Sequence, residues 1–194
     1  MVPKRVDHEV RKRQITDAVA RITVKGGLPS ATFREVAAEA GVSVRLVQYY
    51  FGTKDQLMLT ALQHVTERAT RRFASVIGAA DAAPRAVIRS VLASFIPTDD
   101  ESRENMLLFV AFHTASLTDP TLARPEARGV PRALQRLLAA QLRRLELRDG
   151  VDPDLEAAVL AAMIASLAQA VLDGTTTVEE AMAVIDYAVE RSTV

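Results

Sequence analysis

Apolar residues recur three and four positions apart along almost all of this 194-residue chain, the spacing that gathers one face of an α-helix. Val10, Ile15, Val19 and Ile22 mark such a face within residues 7–25. Gly26-Gly27 follows, and glycine ends helices readily because it enters the left-handed region without a Cβ clash. Three further stretches open like capping boxes: Thr32-Phe-Arg-Glu35, Thr53-Lys-Asp-Gln56 and Thr177-Val-Glu-Glu180. In that motif the first side chain and the fourth each satisfy one free backbone N–H. Asp152-Pro153 supplies an N-cap with proline at the first helical position. Breaks fall at Gly78–Pro84, Pro97–Asp100, Asp119–Pro131, Arg148–Asp152 and Asp173–Thr176. The pattern predicts about nine helices and no strand, an all-α protein. The loop from Thr118 to Pro131 carries three prolines and is expected to be the most mobile piece.

Composition agrees with the periodicity. Alanine and leucine dominate the apolar residues and aromatics are only 5%, a bias toward helix over sheet. There is no cysteine, which excludes disulfide and thiolate chemistry and fits a reducing cytoplasm. The opening MVPKRVDHEVRKRQ has no apolar export core. No apolar run approaches ~20 residues, so neither a membrane span nor a membrane partner is expected, and the location expected is cytoplasmic.

Charge changes the picture. The chain is neutral as a whole, yet residues 1–54 carry ten Lys and Arg against five Asp and Glu, and residues 55–194 carry fourteen against nineteen. A basic head on an acidic body points to a polyanion at one end, unless the cluster is only a solvated face. The composition shift near Gly52-Thr53 divides the chain into a head, residues 1–52, and a body, residues 53–194.

Within the head, TFREVAAEAGVSVRLVQYYFGTKDQL (residues 32–57) reads as two short helices meeting at a turn. Val36, Ala37 and Ala40 face inward on the first, with Ala37 small enough for close approach. Gly41 suits the turn, where a positive φ costs little only for glycine, and Ser43 is placed to cap the second helix. Val47, Tyr50 and Phe51 make that helix's inner face. Ser43, Val44, Arg45, Gln48 and Tyr49 are left outside, the arrangement of a DNA-reading helix-turn-helix. Arg45 has the chemistry to pair with guanine, Gln48 with adenine and Val44 with a thymine methyl. Thr32 and Tyr49 suit phosphate, and Lys54 adds charge at the start of the next helix. The competing reading is an ordinary helical hairpin with solvated polar residues.

The same 26 residues resemble the DNA-binding signature of the tetracycline-repressor (TetR) family, and the resemblance extends over about residues 8–60. The shared features are a Thr-capped helix, Ala-Gly-Val-Ser at the turn, Tyr-Phe closing the next helix and a Lys opening the one after. The resemblance implies DNA contacts from Thr32, Arg34, Val44, Arg45, Gln48, Tyr49, Tyr50 and Lys54. Arg45 and Gln48 depart from common members, which leaves the operator sequence open. The tail DPDLEAAVLAAMIASLAQAVLDGTTTVEEAMAVIDYAVERSTV resembles the choline-responsive, BetI-like branch.

In the body, residues 152–172 form a helix apolar almost all round and rich in alanine, which must be covered on several sides. An intramolecular core is one account. A homodimer interface, which the resemblance supports, is the other, with Ala158, Ala161, Ala162 and Ala165 meeting Ala181, Ile185 and Ala188 of the last helix. Phe95, Met106, Phe109, Phe112, His113 and Leu117 occupy helical spacings, and Met58, Leu62 and Met163 complete a candidate pocket for an unidentified small-molecule effector. For His113 a hydrogen-bonded core histidine is the plainer reading.

Nothing points to catalysis. The three histidines are scattered, and no metal-ligand spacing, phosphate loop or dinucleotide motif appears, so no metal, no cofactor and no enzyme activity are expected. The reading is a transcriptional regulator, a repressor on double-stranded palindromic operator DNA released by an effector. The alternative is a helical ligand-binding or scaffold protein with nonspecific polyanion binding.

Overall fold

The computed structural model describes residues 4–77, 83–120, 122 and 129–194. Residues 78–82 of the break expected at Gly78–Pro84, and residues 121 and 123–128 of the loop from Thr118 to Pro131, lie outside the described residues. Among those described there are nine α-helices, α1 Lys4–Gly26, α2 Phe33–Glu39, α3 Val44–Phe51, α4 Lys54–Ile77, α5 Pro84–Ala93, α6 Asp100–Thr118, α7 Gly129–Leu142, α8 Pro153–Asp173 and α9 Val178–Ser192. A 3-10 turn covers Leu28–Ser30. The only extended pairing among these residues is a single antiparallel bridge between Leu147 and Thr193. The protein is all-α.

Packing divides the chain into two compact units, Met1–Arg68 with Leu107–Ala127, and Ala69–Met106 with Arg128–Val194. The first unit is built on Ile15, Ala18 and Val19 of α1, Val36, Ala37 and Ala40 around α2, and Val47 and Phe51 of α3. Leu57, Met58 and Leu62 of α4 and Phe112 of α6 join the same core. Packing therefore carries this unit past the composition shift near residue 52, because the first turns of α4 bury their apolar face with the helices before it. Val10 is a correction: it is 59% exposed. It stands five residues before Ile15, and at about 100° per residue that sets it roughly 140° round the helix from the buried stripe.

The expected caps form unevenly. At Thr177 both bonds of the box are made, the Thr177 hydroxyl accepting from Glu180 N at 3.1 Å and Glu180 accepting from Thr177 N at 2.8 Å. At Thr32 only the hydroxyl bond forms, from Glu35 N at 3.2 Å, because Thr32 N–H already donates to Ser30 O at 2.9 Å. Thr53 behaves likewise, its N–H going back to Phe51 O at 2.7 Å. Asp152 caps α8 as expected, accepting from Asp154 N and Leu155 N, both at 2.9 Å.

The second unit packs α5, α7, α8 and α9 around Ile88, Leu92, Leu138, Leu142, Leu160, Ile164 and Ile185. Its last residues are tied down by backbone bonds, Arg148 N to Ser192 O at 3.3 Å and Val194 N to Glu146 O at 3.1 Å. Arg85 of α5 donates to Thr193 Oγ1 and to Val194 O.

Two expectations about α8 and α9 need correction. Among the described residues α8 is the one helix that would pass for a membrane span by length and composition, and only 28% of its most apolar stretch is buried within the chain. Charges confined to its ends (Asp154, Glu156 and Asp173) and the polar Ser166 and Gln169 within it kept the stretch from reading as one apolar run. Ala181, Ile185 and Ala188, expected at a subunit interface, are instead buried in this unit's own core. Ala158 and Ala161 are half-buried, and Ala162 and Ala165 are exposed. The open apolar side of the two helices is completed by Leu155 (70% exposed), Val159, Val184 and Tyr187 (67%).

Candidate nucleic-acid interface

The reading head begins with how α2 ends. Gly41 has φ +65°, and around it Gly41 N donates to Ala38 O at 3.2 Å and Val42 N to Ala37 O at 2.9 Å. That pair of bonds is the Schellman closure, which satisfies the last carbonyls of α2 and turns the chain sharply. Ser43 then starts α3, its hydroxyl accepting from Leu46 N at 3.2 Å. At the far end Gly52, at φ +66°, releases the chain into α4.

Between those two glycines the faces of α3 separate cleanly. Val47 and Phe51 are buried and Leu46 is half-buried, while Ser43, Val44, Arg45 and Gln48 are exposed and Tyr49 is 73% exposed. Thr32, Arg34 and Lys54 are exposed as well. Among the described residues Arg34, Arg45 and Lys54 have no ion-pair partner, so their charge is free to meet phosphate or a base edge. Tyr50 stands apart from this set. It is half-buried, with its ring edge-on to Tyr49 at 5.4 Å and to His8 at 5.5 Å between centroids. In that position it braces Tyr49.

The polar supports behind the head were missed in the sequence. Gln14 of α1 donates from Nε2 to Ala40 O at 2.8 Å, at the end of α2. Two turns further along α1, Arg21 Nε donates to Glu39 Oε1 at 2.5 Å. Arg21's hydrogen bond holds the Glu39 carboxyl below the usual glutamate value, against a smaller desolvation effect. Gln14 and Arg21 lie seven apart, two turns on one face of α1, and that spacing was the available signal.

The candidate effector residues fall into two groups. Met58, Leu62 and Phe112 are buried in the first unit's core, and Phe95 and Met163 pack against the second. Met106 and Phe109 are half-buried, while Leu117 is 73% exposed. His113 is exposed and stacked on Phe109 with ring centroids 6.0 Å apart, not hydrogen-bonded in a core. Among the described residues no group of His, Asp and Glu has the arrangement of a metal site.

Comparison with known proteins matches both halves of the chain. Residues 15–61 fit the family model of bacterial regulatory proteins, tetR family. Residues 84–193 fit that of the C-terminal domain of BetI-type transcriptional repressors. The HTH-type transcriptional regulator PksA of Bacillus subtilis is 31% identical over 173 residues, covering 89% of this chain and 84% of that protein. The HTH-type regulator BetI of Burkholderia mallei is 37% identical over 127 residues, 63% of each chain. A transcriptional regulator from Saccharomonospora viridis, solved in complex with choline, superposes with a TM-score of 0.81 at 21% identity, over 94% of this chain and 97% of that one.

Proposed function

Because the chain belongs to the TetR family of bacterial transcriptional regulators, with a BetI-type C-terminal half, we propose that it works as a homodimer whose two α3 helices read a palindromic operator until an effector releases them. Its relatives are DNA-binding regulators of transcription, not enzymes, and so is this protein. The observation that carries the finer reading is the sorting of α3. Val47 and Phe51 root it, and every side chain suited to a base edge stands free.

In this reading residues 1–52 are the DNA-contacting domain and residues 53–194 hold the effector and the dimer contact. Arg45 and Gln48 specify bases, and Val44 meets a thymine methyl. Thr32, Ser43, Arg34, Tyr49 and Lys54 set the register on phosphates, with Tyr50 behind them. One such helix reads too few base pairs for a unique site, whereas two related by a dyad read half-sites about 34–36 Å apart. The open apolar side of α8 and α9 supports the dyad, since an isologous contact would cover Leu155, Val159, Ala162, Val184 and Tyr187. A regulator of this kind acts where the chromosome is, in the cytoplasm, with no membrane partner.

The effector acts by binding one conformation of the body better than another, with a coupling of ~1–3 kcal/mol. The helix α4 starts beside the head at Thr53 and is the natural carrier of that bias. Choline, bound by the S. viridis neighbour, is the first compound to try.

Footprinting on the DNA upstream of the protein's own gene tests the reading. A protected palindrome with half-sites one helical turn apart, lost on adding effector, is the expected result. Uniform, salt-sensitive protection of all DNA would replace it with nonspecific polyanion binding.

A further inference from the structure

His64, on the third turn of α4, has a ring nitrogen 2.6 Å from the hydroxyl of Thr16 on α1. Thr16 is 3% exposed, a buried polar group among apolar neighbours. Its Oγ1 also lies 3.0 Å from Arg13 O and 3.2 Å from Lys12 O, in position to donate to them. A hydroxyl has one proton. If that proton goes to His64, the carbonyls lose a donor and one hydrogen bond is made. If it goes to the carbonyls, His64 must donate from Nδ1 and two are made. Burial favours the arrangement with more bonds satisfied, which puts the proton of neutral His64 on Nδ1.

The contact matters for what α1 holds. Gln14 and Arg21 brace α1 to the end of α2, and both they and Thr16 lie within the same three turns. Thr16 thus carries a hydrogen bond between α4 and the helix on which the reading head is set. We infer that His64 is a positioning residue for operator binding, holding α1 and with it the α2–α3 head through the Nδ1–H to Thr16 bond. This rests on the reading of the head as a sequence-specific operator binder. Neither residue touches DNA in that reading, so the effect is on how often the head stands in its binding orientation.

Thr16→Val keeps shape and removes the acceptor, and His64→Leu removes the donor. Each is expected to weaken operator binding about 3- to 10-fold, the worth of one hydrogen bond expressed in affinity. Thr16→Ser keeps the acceptor, and His64→Asn keeps a donor near the Nδ1 position, so both restore binding. Losing one hydrogen bond leaves a domain of ordinary stability almost fully folded at 25 °C, so a merely structural role would lower the melting temperature and leave the operator Kd unchanged. Nitrogen-15 NMR of the imidazole adds a second readout: the Nδ1–H tautomer in the wild type, turning to Nε2–H in Thr16→Val. Operator affinity unchanged to within about twofold in both Thr16→Val and His64→Leu overturns the inference, as does an Nε2–H tautomer in the wild type. If the wild-type protein protects no defined site, the operator reading itself fails, and that result appears before any variant is made.

Discussion

Helices α3 and α8 each leave one side uncovered, and the two sides could not be more different in chemistry. On α3 the open side carries Arg45, Gln48 and Tyr49, and on α8 it carries Leu155, Val159, Ala162 and Ala165. A polar side of this kind gains from meeting a charged, hydrogen-bonding surface and loses nothing by staying in water between encounters. An apolar side gains only by leaving water, at roughly 25 cal/mol for each Å² covered. The first suits a partner that is met and released, the second one that stays. A dimer that persists while its grip on DNA comes and goes is what a releasable repressor requires.

Adding charge to the apolar side should break the comparison most severely. Ala162→Glu is expected to split the dimer and, by removing the second half-site, to weaken operator binding by about 100-fold or more. Sedimentation equilibrium and gel-shift titration read the two effects together, and a fully dimeric, tightly binding mutant would take α8 out of the interface. Ile185→Ala sharpens the same contrast from inside. Because Ile185 is fully buried in the chain's own core, it should cost about 2–5 kcal/mol of stability in denaturant unfolding, with dimerisation of the folded fraction intact.

On the polar side the effects are smaller and differ in kind. Arg45→Ala should relax preference at one operator position by ~1–3 kcal/mol, whereas Lys54→Ala should weaken all sequences alike and lower the salt slope by about one. Equal losses on every sequence from both would remove Arg45 from base reading. The smallest effect belongs to the Arg21–Glu39 brace. Glu39 is held below its unfolded value, so its contribution is present above the ordinary glutamate pKa and fades as pH falls through the depressed one. Glu39→Gln should therefore narrow the stability difference from wild type as pH drops below about 4, as followed by thermal melts across that range.

The head was legible because its logic is local. Within 26 residues the sequence carries the cap Ser43, the turn residue Gly41, and Val36, Ala37, Ala40, Val47 and Phe51 as the core, and all of them stand where that pattern places them. The body was less legible because small, regularly spaced residues report close packing without naming the neighbour. Ala181, Ile185 and Ala188 satisfy the same spacing whether they meet their own chain or another, and they meet their own. The polar supports were hidden for a related reason. Thr16 and His64 are 48 positions apart, and nothing near either announces the other. Even Glu35, placed to complete a capping box, was outcompeted by Ser30 for Thr32's N–H.

The uncovered side of α8 also bears on how the protein lives in a cell. In the proposed dimer a newly made subunit carries Leu155, Val159 and Tyr187 in the open until it meets a second copy, and that interval lengthens as copy number falls. During it the chain presents the kind of surface that chaperones and proteases survey. Gene dosage would then set the fraction of chains that ever become active as well as their total number, giving the regulator a concentration threshold that no DNA contact encodes.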